Sequence, residues 1–304
     1  MTHSIPARVI AIDTDGDQFA DRLYSADMGG RVWRFDIFNG RPRSQLVTGG
    51  PLATLGAGDT GQTDIANVRR FYNAPDVALI QRRGAEPFYN IAIGSGYRGH
   101  PLHTETHDRL YSIRDRLPFA KLSQADYNAQ TRIRDQDLFN ITDDITNALV
   151  PANSRGWKLE LRLNGGWSGE KVLAEALTVD ATILFTTYQP QSGSNSDPCL
   201  PANGKNRVYA LRVETGHPAI DYNDDHVIDA TDASQQLVQS GIAGEVSLVL
   251  ESTRGQDNVD PNAPVDELGR RSLCLVGVEV LKKCIVPGGV VRTFWQRTAD
   301  DGTQ

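Results

Sequence analysis

Apolar and polar residues alternate along many short segments of the chain, as they do in β-strands that are buried on one face. Three segments share a polar start, an arginine and an alternating core around a tyrosine: Asp21–Asp27, Asp108–Asp115 and Asn206–Val213. Their recurrence at intervals of roughly 90 residues predicts repeated sheets that are separated by long insertions.

Other short elements follow from the same pattern. Arg22–Ala26 and Arg31–Ile37 predict a hairpin, because Gly29 and Gly30 between them permit the positive φ that tight turns need. Long stretches at 39–67, 116–156 and 189–205 are predicted to be irregular, with short helices at Gln124–Thr131 and Asp143–Leu149. Further strands are predicted at Arg8–Ile12, Val77–Gln81, Asn90–Ile93, Lys171–Val179, Thr182–Thr187, Leu273–Val280 and Val290–Trp295.

Repeated sheets with decorated loops predict a mainly all-β protein, a modified β-propeller with long loop insertions and a few short helices. A propeller must close its ring, and only three blades and parts of others are recognisable. We therefore interpret residues 1–304 as a single domain that forms part of a larger β-propeller.

Composition narrows the classes of function. A formal net charge of −7 without a dense Lys/Arg run argues against nucleic-acid binding. The chain has no run of 18 apolar residues, so no membrane span is predicted. The N-terminal residues lack the apolar core of a signal peptide, so the protein is either not exported or a piece of a longer precursor.

The clearest chemistry lies in the nine residues DTDGDQFAD at positions 13–21. Carboxylates at loop positions 1, 3, 5 and 9 suit a hard cation, and so many close carboxylates repel one another without one. The EF-hand pattern has Gly at position 6 and Glu at position 12, where this chain has Gln18 and Tyr24, so we expect an EF-like loop that leads into a strand. The predicted calcium ligands, with Phe19 acting through its backbone carbonyl, are Asp13, Asp15, Asp17, Phe19 and Asp21. An acidic surface turn is the alternative.

A second acidic loop at 221–232 fits the same twelve-residue frame. His226 stands at position 6, where positive φ is usual, and histidine tolerates that conformation better than most residues. A short helix, Ala230–Gln239, is predicted to follow. The predicted calcium ligands, with Val227 acting through its carbonyl, are Asp221, Asn223, Asp225, Val227, Asp229 and Asp232. A solvated acidic turn is again the alternative.

The sequence does not decide whether the three cysteines are oxidised or reduced. Cys274 and Cys284 can form a disulfide if the apolar run between them folds back on itself, but not if it is one straight strand. Reduced, buried thiols are the alternative. Cys199 would be left without a partner in this chain.

Two further motifs are interpreted as structural. Gly94-Ser-Gly-Tyr-Arg-Gly99 matches a dinucleotide fingerprint, but the residues after it do not favour the helix that the pyrophosphate requires. We therefore predict a glycine-rich turn between strands. His100, His103 and His107 do not share one face of a helix, so we expect exposed loop histidines rather than a metal site.

The segment Ala11–Asp36, AIDTDGDQFADRLYSADMGGRVWRFD, resembles the signature of the PilY/PilC family of type IV pilus-associated adhesins. Other segments resemble the family at 93–101, 169–172, 185–190 and 197–211, whereas the chain from Gln235 onward matches it weakly. The resemblance implies a C-terminal β-propeller whose EF-like loop binds calcium through Asp13, Asp15, Asp17, Asp21 and the Phe19 carbonyl.

The resemblance also implies a location at the pilus tip or cell surface, outside the cytoplasm, with the export signal on a longer N-terminal region. It implies a protein that promotes pilus assembly, opposes retraction and mediates adhesion. Its partners would be minor pilins and other pilus-tip components, and a host or abiotic surface receptor that the sequence does not identify.

We predict that the module is not an enzyme, because no convergent catalytic set is recognisable. The first alternative is a propeller dehydrogenase that uses a quinone cofactor of the pyrroloquinoline type. The second is a dockerin-like, calcium-dependent protein-binding module, since the 221–232 loop is followed by a predicted helix.

Overall fold

The computed structural model describes residues 2–56, 64–163, 165–191, 204–251 and 271–285. Within these ranges the strands form four larger sheets and one two-stranded ribbon. The predicted mainly-β class is confirmed, because the only α-helix in the described residues is α1 (Gln124–Ala129). Short 3-10 turns lie at Arg43–Gln45, Ile65–Asn67, Asp135–Asp137 and Ala230–Asp232.

The first two sheets come from the N-terminal half of the chain. The first has the strand order β1 (Ile10–Ile12), β2 (Arg22–Ala26), β3 (Arg31–Ile37), β4 (Val47–Thr54) and β8 (Ile133–Arg134). The second has the order β5 (Asp76–Ile80), β6 (Phe88–Gly94), β7 (Arg109–Asp115), β10 (Gly156–Glu160) and β9 (Phe139–Asn140). The pairs β4–β8 and β9–β10 are parallel, and the other pairs are antiparallel.

The remaining strands follow in chain order. The ribbon pairs β11 (Arg162–Leu163) with β12 (Gly166–Trp167). The third sheet contains β13 (Lys171–Val172), β14 (Leu177–Val179), β15 (Thr182–Gln189), β16 (Lys205–Arg212) and β17 (Ser234–Gln236). The fourth contains β18 (Val246–Glu251), β19 (Arg271–Val276) and β20 (Glu279–Val280).

The core lies between successive sheets. In β6, Ile91 and Ile93 pack toward the first sheet, whereas Ala92 belongs to the cluster shared with the third sheet. In β15, Phe185 faces the second sheet and Leu184 faces the fourth. Alternate residues of a strand point to opposite faces, so a strand between two sheets must be apolar on both. Sheets that succeed one another and pack face to face agree with the predicted propeller; that the chain is part of a larger ring stays a prediction.

Several predicted elements are confirmed. The β2–β3 hairpin has the predicted bounds, with Gly30 at a φ of 80° in its turn. The three repeated segments form β2, β7 and β16, each beside a neighbouring strand on both edges. The first predicted helix, α1, begins at the predicted residue and ends two positions early, at Ala129.

Other predictions are wrong. The stretch 39–67 contains β4, which pairs along the whole of β3. Its Gly49 lies against the Phe35 ring, which a Cβ atom would approach to 2.3 Å, so a residue with low strand propensity is required there. The stretch 116–156 likewise contains β8 and β9, and its predicted helix Asp143–Leu149 is a series of turns.

Two further corrections concern the third and fourth sheets. The predicted strand Lys171–Val179 is split, because its two ends, β13 and β14, pair with different parts of β15. The predicted strand Leu273–Val280 is a hairpin that reverses at Gly277 and brings Cys274 and Cys284 into a disulfide. Predictions for Cys199 and for Val290–Trp295 lie outside the described residues.

Candidate metal centre

The acidic loop at 13–21 is the connection of an antiparallel hairpin. It joins β1 to β2, which pair from Ile10 opposite Tyr24 to Ile12 opposite Arg22. The Asp21 N–H donates to the Ile12 carbonyl at 2.8 Å, so the loop closes directly on the last pair of the ladder. The position of both strands therefore depends on how the loop folds.

Backbone N–H groups inside the loop point at its first carboxylate. Asp13 accepts from Gly16 at 2.7 Å and from Gln18 at 2.8 Å, and both donors have positive φ. Desolvation acts against these bonds, but the N–H donors prevail and lower the pKa of Asp13. One oxygen from each of Asp13, Asp15 and Asp17 lies within 4.8 Å of the others. The loop therefore holds three negative side chains together.

Asp21, the fourth predicted carboxylate ligand, is buried and has partners on both oxygens. One oxygen accepts from the backbone N–H and the hydroxyl of Thr14, at 2.9 and 2.7 Å, and the other accepts from the Lys121 ammonium at 2.6 Å. Burial raises the pKa of Asp21, but the bonds from Lys121 and Thr14 outweigh it and lower the value to about 2. Lys121 comes from a segment one hundred residues away, so Asp21 ties the loop to a distant part of the chain.

The acidic loop at 221–232 has the same internal design. It lies between β16 and β17, which are antiparallel neighbours. Asp221 accepts from the N–H groups of Asp224 at 2.8 Å and His226 at 3.0 Å, the fourth and sixth loop positions, as in the first loop. Both donors have positive φ, which confirms the conformation that was predicted for His226.

The predicted ligands of this second loop separate into two groups. Asp221, Asp225 and Asp232 each place one oxygen within 4.8 Å of the other two. Asp229 instead accepts from Thr231 at 2.7 Å and caps the 3-10 turn, while the Asn223 side chain bonds Asp225 and Thr231. The predicted helix Ala230–Gln239 ends after this turn, because 234–236 pair with β16 as β17.

Asp232, at loop position 12, accepts the same kind of hydrogen bond that Asp21, at position 9, accepts in the first loop. It is fully buried and accepts from the N–H of Tyr222, the second loop position, at 2.7 Å, as Asp21 accepts from Thr14. A lysine again meets the loop, since the Lys283 ammonium lies 2.5 Å from Asp224 and 3.6 Å from Asp221.

These donor sets fit calcium. Calcium binds oxygen ligands at about 2.3–2.6 Å, so two oxygens on one ion lie no more than about 5 Å apart. Both carboxylate triads satisfy that limit. The side chains of Phe19 and Val227, whose carbonyls were predicted as ligands, are 66% and 57% exposed, which keeps the seventh loop position at the surface.

The chain was compared with known protein families, sequences and structures. No protein-family model matches the chain. It is 26% identical over 215 residues to a type IV pilus biogenesis factor PilY1 homolog from Xylella fastidiosa, which covers 69% of this chain and 14% of that protein. It is 23% identical over 248 residues to the type IV pilus biogenesis factor PilY1 of Pseudomonas aeruginosa strain UCBPP-PA14, covering 67% of this chain and 21% of that protein.

The fold agrees with these sequence relationships. The structure matches the crystal structure of the Pseudomonas aeruginosa PilY1 C-terminal domain with a TM-score of 0.57 and 18% identity, over 90% of this chain and 59% of that domain. The chain therefore resembles the PilY1 proteins in both sequence and fold. It spans only 14% to 21% of the length of the PilY1 sequences it matches here, and the resemblance that the Ala11–Asp36 segment carries is confirmed.

The glycine-rich motif at 94–99 serves strand packing. A Cβ atom on Gly94 would lie 2.2 Å from the Val172 side chain, and one on Gly96 would lie 2.1 Å from the Val172 carbonyl oxygen. Ser95 accepts from the Val172 N–H at 2.9 Å. The motif therefore joins the second sheet to the third. Residues 100–108 directly after it form turns rather than a helix, so the predicted glycine-rich turn between strands is confirmed.

The three histidines at 100, 103 and 107 also have packing partners. His100 and His103 lie about Tyr97, with ring centroids 6.0 and 5.8 Å away. His107 stacks on Trp167 at 4.0 Å, and burial, followed by the charges of nearby arginines, lowers its pKa. Among the residues described, the only groups of His, Cys, Asp or Glu that could hold a metal are the two acidic triads.

The structure also reveals residues that the sequence did not single out. Arg22 and Arg34 are buried, and both hydrogen-bond Asp36. Arg22 donates as well to the carbonyls of Leu117, Pro118 and Ala120, in the segment that carries Lys121. The only sequence signal was the arginine that recurs near the start of the three repeated segments, which is Arg22 in the first of them. It indicated a strand and gave no sign of these partners.

Proposed function

We propose that this chain is a calcium-binding, non-catalytic β-propeller segment that supports type IV pilus assembly. The observation that carries the proposal is the acidic loop at 13–21, which holds three carboxylates within 4.8 Å of one another and closes a hairpin in a chain that resembles the PilY1 proteins. The relatives are named as type IV pilus biogenesis factors, and the described part of the chain contains no helix that is long and apolar enough to cross a membrane.

In this proposal calcium supplies the positive charge that the clustered carboxylates need. Asp13, Asp15 and Asp17 would hold the ion in the first loop, and Asp221, Asp225 and Asp232 in the second. The protein's own part is to preorganise these side chains, since N–H donors already fix Asp13 and Asp221. A ligand that binds only the folded state stabilises that state, so an ordered loop would fix β1 against β2 and β16 against β17.

The finer parts of the proposal rest on the family resemblance of the Ala11–Asp36 segment. The protein would lie at the cell surface or pilus tip, where it would oppose retraction and mediate adhesion. Minor pilins and other tip components would be its partners, together with a surface receptor. Because the chain spans a fraction of its relatives, these properties would belong to the whole protein of which the propeller is one part.

The calcium part is tested by titration calorimetry and thermal unfolding of EDTA-stripped protein. We expect two binding sites with affinities between micromolar and millimolar. Asp13→Asn should remove one site and Asp225→Asn the other, whereas Asp143→Asn, which neutralises an exposed carboxylate outside both loops, should leave both. Absence of binding heat and of any calcium-dependent rise in melting temperature would refute calcium binding.

The pilus part needs a separate measurement, made in cells. A strain that carries the Asp13→Asn protein in place of its own should show altered numbers of surface pili or altered retraction-driven movement, and the Asp143→Asn strain should not. Pili that are unchanged even when the protein is deleted would contradict the pilus role and leave calcium binding intact.

No observation favours either alternative function, the dockerin-like module or the quinone-dependent dehydrogenase. The dockerin-like module required a helix after the second loop, and β17 occupies that position. The quinone-dependent dehydrogenase remains an untested prediction, which an absorbance spectrum after addition of pyrroloquinoline quinone would address.

A further inference from the structure

A cleft of about 550 Å³ opens where four connections of the second and third sheets meet. They are the β5–β6 turn, the end of β7, the segment before β10 and the turn after β16. The volume lies within the roughly 300–1,000 Å³ that is usual for small-molecule sites. Phe88 and Val150 provide an apolar wall. The charged residues of the lining are Arg114, Arg116, Glu86 and Glu214.

Both arginines are held by neutral acceptors. Arg114 is only 3% exposed, and it donates to the backbone carbonyls of Pro151 and Ala152 at 3.2 Å and of Glu214 at 2.6 Å. Arg116 donates to the carbonyl of Ala152 and, at 2.9 Å, to that of Ser154. Within the described ranges, no carboxylate forms an ion pair with either guanidinium. The carbonyls fix the two side chains in place but bring no negative charge into direct contact with them.

In the part of the chain that the structure describes, neither lining carboxylate forms an ion pair with Arg114 or Arg116: Glu86 is exposed, and Glu214 is paired elsewhere. The Glu214 carboxylate pairs with Arg82 at 2.6 Å. Burial and the charge of Arg116 together lower the pKa of Arg114, and the attraction of Glu214 does not offset them. Because a buried charge without a counter-ion is costly, two adjacent cations at a cleft favour a negatively charged ligand.

We propose that this cleft binds a small organic anion. Its carboxylate or phosphate group would contact the guanidinium groups of Arg114 and Arg116, which suit planar oxyanions. Its apolar part would contact Phe88, whose ring also lies 5.3 Å from the Arg114 guanidinium, and Val150. The site shares no residue with the acidic loops, so it stands or falls independently of calcium binding.

The test uses benzoate and benzamide, which have nearly the same shape but differ in charge. Binding to the whole chain would be followed by calorimetry or by NMR of the ligand, with inorganic phosphate as a second probe that separates phosphate from carboxylate preference. We expect saturable benzoate binding, and benzamide binding that is weaker by roughly tenfold or more, because hydrogen bonds to charged groups are the stronger ones.

Variants assign the binding to the cleft. Arg116→Gln should weaken benzoate binding by roughly tenfold, whereas Arg98→Gln, the same change at an exposed arginine outside the cleft, should not. Val150→Asp introduces a repelling charge and keeps every arginine bond, so it should also weaken binding while the melting temperature reports on folding. Equal binding of benzamide and benzoate, no benzoate binding, or unchanged binding in both cleft variants would overturn the proposal.

Discussion

Replacement of Asp36 by asparagine tests whether a buried ion network positions the first acidic loop. Asp36 has no exposed surface and accepts hydrogen bonds from four residues. The donors include Arg22 Nε at 2.7 Å, Arg34 Nη2 at 3.0 Å, the Leu122 N–H at 2.9 Å and the Tyr127 hydroxyl at 2.7 Å. Arg22 and Arg34 are each about 1% exposed, so neither can recover its hydration when the carboxylate is lost.

The expected cost follows from this burial. Burial raises the pKa of Asp36, but the charge of Arg34 and the bonds around it outweigh burial and lower the pKa, so the group is ionised at neutral pH. Removing one partner of a buried ion pair typically costs about 3–5 kcal/mol. Arg34 keeps Asp115 at 2.9 Å, whereas Arg22 keeps only backbone carbonyls. We therefore expect Asp36→Asn to lower the free energy of unfolding by about 3 kcal/mol, the lower end of that range.

Urea unfolding of the wild-type and variant chains measures this difference. The control is Glu175→Gln, which breaks the pair between Glu175 and Arg8, and Arg8 is 71% exposed. An exposed pair contributes about 0–1 kcal/mol. The 116–122 segment should also loosen in Asp36→Asn. The NH2 group of asparagine cannot accept from the arginines or from the Leu122 N–H, and Leu122 directly follows Lys121, which holds Asp21.

A loss below about 1 kcal/mol, similar to that of the exposed pair, would refute the reasoning. It would mean that the two arginines reach water or other acceptors when Asp36 is neutral. Unchanged protease cleavage of the 116–122 segment in Asp36→Asn would separately contradict the proposed link to Lys121.

Two further predictions concern packing and pH. Gly96→Ala should destabilise the protein by more than about 2 kcal/mol, because its Cβ would lie 2.1 Å from the Val172 carbonyl oxygen. Gly244→Ala is the control, because a Cβ atom there has open space. The midpoints of urea unfolding compare the two variants. Burial raises the pKa of Asp108 to about 6, so the folded state binds more protons than the unfolded state between about pH 4 and pH 6, and stability falls as pH rises through that window. Asp108→Asn should flatten this decline in melting temperature, and an unchanged pH profile would contradict the assignment.

The acidic loops show how much a short sequence can specify. Their conformation depends on hydrogen bonds between residues two to five positions apart, such as those that Asp13 and Asp221 accept. Because the N–H donors to Asp13 and Asp221 lie within the same loop as their acceptor, the conformation around these carboxylates, including the positive φ of His226, follows from local sequence. The β2–β3 hairpin follows for the same reason.

The sequence did not predict hydrogen bonds between residues that are distant in the chain. Arg109 and Tyr111 share the Asp135 carboxylate, and Arg207 and Tyr209 share Glu170. In a strand, residues i and i+2 point to one face, so the repeated Arg–x–Tyr pattern indicated a strand. Which carboxylate each pair would meet depended on how the segments fold together.

The sequence by itself determined the mainly-β class, the two acidic loops and the family resemblance, because these rest on strand periodicity and on spacings of a few residues. The tertiary structure decided that 234–236 form a strand rather than a helix, that Lys121 holds Asp21, and that Arg114 and Arg116 line a cleft. Each of these depends on segments tens of residues apart. Such contacts form only when successive sheets bury their apolar faces against each other, and no local pattern records them.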